Sequence, residues 1–174
     1  MANKLIILSG KQFSGKDTVA KILLEQLEGF RRIGLGDAIK IELGKQKGLT
    51  FDQIENDKAT YRPELIELGN WGRAQDPDYW LNAIINSDGN IIVPDIRVEH
   101  EYNKFKQNGA FAIRVESSEE ERAKRGTIVS GNDNTETALD KIEGWDYVIE
   151  NDSTYDALLT NVDDLIQKIN KFFA

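Results

Sequence analysis

Residues 10–17 combine glycines and a lysine at a spacing that suits phosphate binding. Gly10 is followed, after four residues, by Gly15 and Lys16, so the segment matches the pattern G-x-x-x-x-G-K. Glycines let successive backbone N–H groups point at an anion, and the lysine neutralises charge on the β and γ phosphates of a nucleotide. The spacing therefore predicts a Walker A phosphate-binding loop.

The segments on both sides of this loop support the interpretation. The apolar run 5–8 precedes it, and apolar residues recur at helical spacing from Lys16 until Gly29. A helix that begins at the loop adds the positive end of its dipole to the anion site. We expect seven residues to bind the nucleotide: Gly10, Lys11, Ser14, Gly15, Lys16, Asp17 and Thr18.

Asp17 occupies the position where such loops usually have a hydroxyl residue that ligates Mg²⁺. A carboxylate is also a hard oxygen ligand and can hold the ion directly or through water. The neighbouring Thr18 offers a hydroxyl instead. Both residues are therefore candidate metal ligands.

A second acidic residue, Asp95, follows the short apolar run 91–93. Ligands of α/β proteins bind where parallel strands end, so Asp95 is a candidate for positioning Mg²⁺ or its water, or for accepting a proton from the phosphoryl acceptor. Arg97 offers a guanidinium that can bind phosphate with two hydrogen bonds. The structural alternative is that Asp95 caps the next helix and pairs with Arg97 at the surface.

Arg122 and Arg125 precede a polar segment, 126–137, that has no helix or strand pattern. We predict a mobile lid around residues 118–137, whose arginines neutralise the transferring phosphoryl group and whose closure excludes water. The alternative for both arginines is an ordinary solvated helix face.

Arg62 and Arg73 bracket a helix that we expect to have Pro63 in its first turn. Together with Arg97 they are candidates for binding the acceptor; the alternative is that their long side chains cover apolar surface. The catalytic candidates on this hypothesis are Lys16, Asp95, Arg97, Arg122 and Arg125.

The elements that position these residues alternate between strands and helices. Apolar runs without polar alternation are typical of strands covered on both faces. The predicted strands are 5–8, 91–93, 111–115 and 147–149, and helical patterns cover 16–27, 37–44 or 37–48, 63–68, 79–85, 99–107, 118–125 and 156–172. This order predicts an α/β fold of the P-loop NTPase class, with a parallel sheet flanked by helices.

Length and composition limit the classes of protein to consider. The 174 residues fit a single domain, 1–174, and the formal charge of −8 argues against binding to a nucleic acid polymer or an anionic membrane. The chain has no Cys and no apolar run near the roughly 18 residues of a membrane span. We therefore expect a cytoplasmic protein.

The loop G-K-x-x-S-G-K-D resembles that of two groups of P-loop kinases. These are animal-type phosphomevalonate kinases and bacteriophage deoxynucleoside monophosphate kinases, which both look like members of the nucleoside monophosphate kinase superfamily. The first resemblance includes Thr60-Tyr61-Arg62, Trp71-Gly72, Asp76-Pro77, Arg125-Gly126 and residues 145–151, and the second is concentrated in residues 62–80 and 92–97 with Glu101.

The resemblance implies an ATP-dependent kinase that uses Mg²⁺ and phosphorylates the phosphate group of a small metabolite. The acceptor stays open between phosphomevalonate and a (deoxy)nucleoside monophosphate. Phosphomevalonate kinases typically carry basic residues inside the loop, where this chain has Gln12 and Phe13. A nucleotide-binding regulatory protein or an ATP hydrolase on the same fold is the alternative.

Overall fold

The computed structural model describes residues 2–174, and side chains from residue 4 onward. Within this range it contains five strands and nine helices. The strands are β1 (Ala2–Ser9), β2 (Phe30–Arg32), β3 (Gly89–Val93), β4 (Phe111–Glu116) and β5 (Tyr147–Glu150). The helices are α1 (Lys16–Gln26), α2 (Asp37–Lys47), α3 (Phe51–Asn56), α4 (Lys58–Gln75), α5 (Tyr79–Ile85), α6 (Glu99–Gln107), α7 (Glu119–Arg125), α8 (Asn134–Thr137) and α9 (Tyr155–Phe172).

The five strands form one parallel sheet in the order β2-β3-β1-β4-β5. β1 is central: Ile7 is opposite Val93 of β3 on one side and Ala112 of β4 on the other. Parallel strands end at the same edge of a sheet, so the segments that follow β1, β3 and β4 lie side by side. The predicted parallel α/β fold is confirmed.

Helices cover both faces of the sheet, which explains why its strands are continuously apolar. On one face Ile7 packs with residues of α5 and α6, including Trp80 and Phe105. On the other face Ile6 and Leu8 pack with apolar residues of α1 and α9. The three β1 side chains are fully buried, so the strand that leads into the phosphate-binding loop is held on both faces and both edges.

The structure corrects three sequence-based expectations about the elements. α4 begins at Lys58, so Pro63 is inside the helix and not in its first turn. The start is set by Asp57, which accepts hydrogen bonds from the hydroxyl of Thr60 and the backbone N–H of Tyr61. The polar segment 126–137 also contains the short helix α8, and the predicted set of elements lacked β2 and α3.

In the part of the chain that the structure describes, no helix has the length and apolar character needed to cross a membrane.

Gly72 provides a test of the packing between α4 and α5. A Cβ built on Gly72 would lie 2.7 Å from the indole Nε1 of Trp80, and that indole is buried and donates to the carbonyl of Gly69 at 3.1 Å. We expect Gly72→Ala to lower the free energy of unfolding by about 1–3 kcal/mol, since overpacking outweighs the gain in helix propensity. Chemical denaturation measures the effect.

Gly36→Ala is the matched control, because nothing lies within 4 Å of a Cβ at that position. Its stability should equal or slightly exceed that of the wild type. A Gly72→Ala protein as stable as the control would contradict the close contact with Trp80.

Candidate active site

The phosphate-binding loop connects the central strand β1 to the N-terminus of α1. Gly15 precedes the helix with a φ of 98°, in the left-handed region that glycine adopts without steric cost. The amide of Ser14 donates to the carbonyl of Lys11 at 3.0 Å, which turns the loop back on itself. A Cβ on Gly10 would lie 2.7 Å from the carbonyl oxygen of Val115, so the loop also packs closely against β4.

The hydroxyl of Ser14 is the clearest sign that this loop accommodates a ligand. Ser14 is 1% exposed, and its Oγ makes no hydrogen bond to any residue in the described part of the chain. Lys16 follows two residues later in the chain, and its Nζ lies 3.6 Å from the carboxylate of Asp17. A buried hydroxyl without a partner, a lysine and a helix N-terminus together fit the phosphate oxygens of a nucleotide.

A cavity of about 420 Å³ lies against residues 11–18 and Arg125. Arg125 donates to the carbonyls of Phe13 at 3.0 Å and Asn151 at 2.5 Å. Arg122 is buried and donates to the carbonyls of Ser117 and Gln12. Both guanidinium groups therefore bind carbonyl groups of the loop in this structure. Their role in neutralising the transferring phosphoryl group stays a prediction.

Asn151 was missed by the sequence analysis. Its side-chain amide donates to the carbonyl of Ser14 at 2.9 Å and lies so close to Gly15 that a Cβ there would clash. The signal that could have found it is its position directly after β5, at the edge of the sheet where parallel strands end.

The oxygen ligands that suit Mg²⁺ lie at the start of α1 and after β3. Asp17 and Thr18 are exposed at the start of α1, and Asp95 follows β3, the neighbour of β1 in the sheet. Within the described residues no group of three or more acidic or histidine side chains could hold a metal ion. In kinases generally, Mg²⁺ is held by one or two protein ligands together with water and substrate phosphates.

Asp37, at the start of α2, is the centre of a charged network that the sequence analysis also missed. Its carboxylate accepts hydrogen bonds from the Gly34 amide at 2.7 Å, Arg32 at 2.6 Å and Lys40 at 3.1 Å. Lys40 in turn forms an ion pair with Glu55 of α3 at 2.6 Å. Burial alone would raise the pKa of Asp37, but these hydrogen bonds and cations lower it.

Asp95 lies beside this network, and its pKa is shifted in the opposite direction to that of Asp37. It accepts a hydrogen bond from the Leu35 amide at 3.0 Å, and an added Cβ on Gly34 would lie about equally close to the carboxylates of Asp37 and Asp95. Burial raises the pKa of Asp95, and the negative charge of Asp37 adds to the rise. The Leu35 hydrogen bond and the charges of Arg32 and Arg97 offset only part of it.

A larger cavity, of about 750 Å³, opens next to these carboxylates. Five cationic and three acidic side chains line it together with apolar ones: Arg32, Lys40, Lys58, Arg62, Arg73, Asp37, Glu55, Asp95, Ile39, Phe51, Leu65 and Ile66. The structure thus brings Arg62, Arg73 and Asp95 to one cavity. Arg97 does not line it; this exposed residue donates its backbone N–H to Glu101 at 2.7 Å.

Comparison with known proteins identifies the families to which this chain belongs. The family model described as phosphomevalonate kinase matches residues 8–111, and the model described as deoxynucleotide monophosphate kinase matches residues 64–162. Each match covers more than half of the chain. The chain belongs to these two kinase families. The resemblance found in the sequence is confirmed, and the protein is an ATP-dependent phosphotransferase.

A relative of known activity and two solved structures agree with the assignment. Phosphomevalonate kinase of Drosophila melanogaster is 28% identical over 172 residues, which cover 88% of this chain and 90% of the relative. Shikimate kinase from Aquifex aeolicus is 19% identical, with a TM-score of 0.52 and coverage of 98% and 97% of the two chains. A gluconokinase from Sinorhizobium meliloti is 16% identical, with a TM-score of 0.53 and coverage of 97% and 93%. The two structures share the P-loop kinase fold.

The raised pKa of Asp95 predicts a stability gain from a neutral substitution. Because the folded protein holds this proton more tightly than the unfolded chain, stability falls as pH rises through the pKa of the folded state. Asp95→Asn removes this loss of stability and keeps an oxygen that can accept the hydrogen bond from the Leu35 amide. We expect a higher Tm than wild type at about pH 7, little difference at about pH 3, and lower kinase activity.

Differential scanning calorimetry at the two pH values measures the Tm. Asp163→Asn, at an exposed position in the middle of α9, is the control and should change neither the Tm nor the kinase activity. An Asp95→Asn protein less stable than wild type at neutral pH would show that the ionised carboxylate stabilises the fold.

Proposed function

We propose that this kinase transfers the γ-phosphoryl group of ATP to the phosphate group of a small phosphorylated metabolite, with Mg²⁺ bound between the nucleotide and Asp17, Thr18 or Asp95. The observation that carries the proposal is the placement of the two cavities. The phosphate-binding loop follows β1, and the cavity with Arg62 and Arg73 contains Asp95, which follows the adjacent strand β3. A donor and an acceptor held at neighbouring strand ends would face each other.

The chemistry needs positioning and charge neutralisation more than it needs a base. In the transfer, the bond from the γ-phosphorus to the ADP oxygen breaks while a bond to an acceptor phosphate oxygen forms, and ADP leaves. Lys16 and the loop amides would hold the donor phosphates, and Mg²⁺, when bound, would neutralise charge on the nucleotide. The cationic side chains of the larger cavity would hold the acceptor phosphate.

The distribution of charge in the larger cavity favours a nucleoside monophosphate as the acceptor. Arg32 and Lys40 are already paired with carboxylates, whereas Lys58, Arg62 and Arg73 have no carboxylate within ion-pair distance among the described residues. All three lie on α4, so the unpaired positive charge is on one wall of the cavity. A ligand with one phosphate and an otherwise neutral body suits this arrangement.

The other walls of the cavity fit the neutral part of such a ligand. They carry the apolar side chains of Ile39, Phe51, Leu65 and Ile66, which can pack against a base. Phosphomevalonate carries a carboxylate as well as a phosphate, and it has no base that could pack against these side chains. It is the second candidate, because the Drosophila relative is a phosphomevalonate kinase.

We also propose that residues 1–174 act as one cytoplasmic kinase domain whose lid lies around residues 118–137. Support for the lid comes from its contacts with the phosphate-binding loop, since Arg122 and Arg125 donate to loop carbonyls. A segment attached to the donor loop in this way is placed to enclose the nucleotide phosphates.

Replacing Lys16 by Ala tests the donor side of the site. We expect turnover to fall by at least about 100-fold, since the charge that stabilises the transferring phosphoryl group is lost. The Tm should stay within about 2 °C of wild type, because the side chain makes one long ion pair with the exposed Asp17. ADP release measures turnover, and Lys21→Ala, on the exposed face of α1, is the control.

The acceptor is identified by measuring ATP consumption with the common deoxynucleoside and nucleoside monophosphates and with phosphomevalonate. We expect a nucleoside monophosphate to stimulate consumption. Arg62→Ala should raise the KM for that acceptor about tenfold or more, with little change in the KM for ATP, because it removes one charged hydrogen-bond donor.

Lys45→Ala, an exposed lysine of α2 outside the larger cavity, is the matched control and should leave both KM values unchanged. Stimulation by phosphomevalonate alone would support the second candidate. ATP consumption that ignores every acceptor would instead indicate a hydrolase, and ATP binding without consumption would indicate a regulatory protein.

A further inference from the structure

Gln12 is engaged entirely with the segment that follows β4. Its side-chain Nε2 donates to the carbonyl of Val129 at 2.6 Å, and its Oε1 accepts from the amide of the same residue at 3.2 Å. Its backbone amide donates to the carboxylate of Glu136 at 3.0 Å, and its carbonyl accepts from Arg122 at 3.3 Å. Each polar group of Gln12 therefore has a partner in this segment.

The paired hydrogen bonds to Val129 need an amide side chain in particular. One partner is a carbonyl that requires a donor, and the other is an N–H that requires an acceptor. Lysine and arginine are donors only, and an ionised glutamate is an acceptor only, so none of them can make both bonds. The side chain of Val129 is 63% exposed, so backbone hydrogen bonds and not apolar packing hold this part of the segment.

The residues on either side of Gln12 contact the two ends of the same segment. Lys11 forms an ion pair with Asp140 at 2.8 Å. The ring of Phe13 lies directly against Gly126, where any Cβ would clash with it. Phe13 itself has a φ of 61°, a left-handed conformation that costs a residue with a side chain about 1–3 kcal/mol. Three consecutive loop residues thus contact this segment at separate points, from Gly126 to Asp140.

We propose that Gln12 is a positioning residue that fixes residues 126–137, the part of the lid that follows α7, on the phosphate-binding loop. The inference concerns the same site as the proposed function and rests on it for its kinetic consequence. With the lid held by the loop, a movement of the loop on binding nucleotide phosphates moves the lid with it. Water is then excluded from the transferring group while the acceptor is in place.

The test compares Gln12→Met with the wild type in two measurements. Methionine has nearly the same length and volume but cannot form the paired hydrogen bonds. In the nucleotide-free protein, hydrogen exchange of peptides within 126–136 should accelerate by about tenfold, because two hydrogen bonds no longer hold the segment on the loop. Gln46→Met, at an exposed position of α2, is the matched control and should leave exchange in this segment unchanged.

The kinetic measurement separates positioning from ligand binding. We expect Gln12→Met to lower kcat by about tenfold and to raise ATP hydrolysis relative to transfer, with the KM for the acceptor nearly unchanged. Glu136→Ala, which removes the acceptor of the Gln12 amide, should change exchange and kcat in the same direction. Glu136→Gln keeps an oxygen acceptor and should stay close to wild type.

Unchanged exchange in Gln12→Met would overturn the proposal, because the lid would then not depend on this residue. Faster exchange with unchanged kcat and hydrolysis would also overturn it, since the position of the lid would not matter for transfer. The exchange measurement needs no turnover. A wild-type protein without transfer activity would therefore contradict the proposed function, while the contact between Gln12 and the lid would still be tested.

Discussion

The burial of β1 between two parallel neighbours is the constraint on which the site depends. Its central residues are fully buried and fixed in register with β3 on one side and β4 on the other. Because all strands run in one direction, the residues that follow them reach the same edge, and the loop at the end of β1 is bordered by Asp95 after β3 and by the lid after β4. The register of the sheet is therefore sufficient to bring the phosphate-binding loop, Asp95 and the segment after β4 to one edge.

Within that frame, the two carboxylates near Gly34 show how neighbouring side chains acquire different properties. Asp37 is held ionised by a backbone amide and two cations, whereas Asp95 has a single backbone donor and carries the cost of burial. The first is equipped to anchor α2 and, through Lys40, the short helix α3. The second keeps capacity for a ligand, because its charge is not satisfied by the protein alone.

Sequence patterns predicted the parts of the molecule whose signals are local. The apolar runs of β1, β3, β4 and β5 and the spacing of the phosphate-binding loop are each contained in a few consecutive residues, and the structure has these elements where the patterns indicated. β2 and α3 were missed because one is a three-residue edge strand with two exposed arginines and the other is a single short helix. The contacts of Asn151 and Gln12 were missed because their partners lie on other elements. The partners of Asp37 are close in sequence, but a carboxylate that begins a helix looks like a cap until its neighbours in space are known.

The contact between Phe13 and Gly126 has a consequence for how this sequence can vary. The ring of Phe13 occupies the space in which the Cβ of any side chain at position 126 would lie, so such a side chain would clash with it. A large residue at position 13 and a residue with a Cβ at position 126 exclude each other, although the two positions are far apart in the chain. Among relatives with the same fold, we therefore expect the two positions to co-vary, with larger residues at one accompanied by glycine at the other.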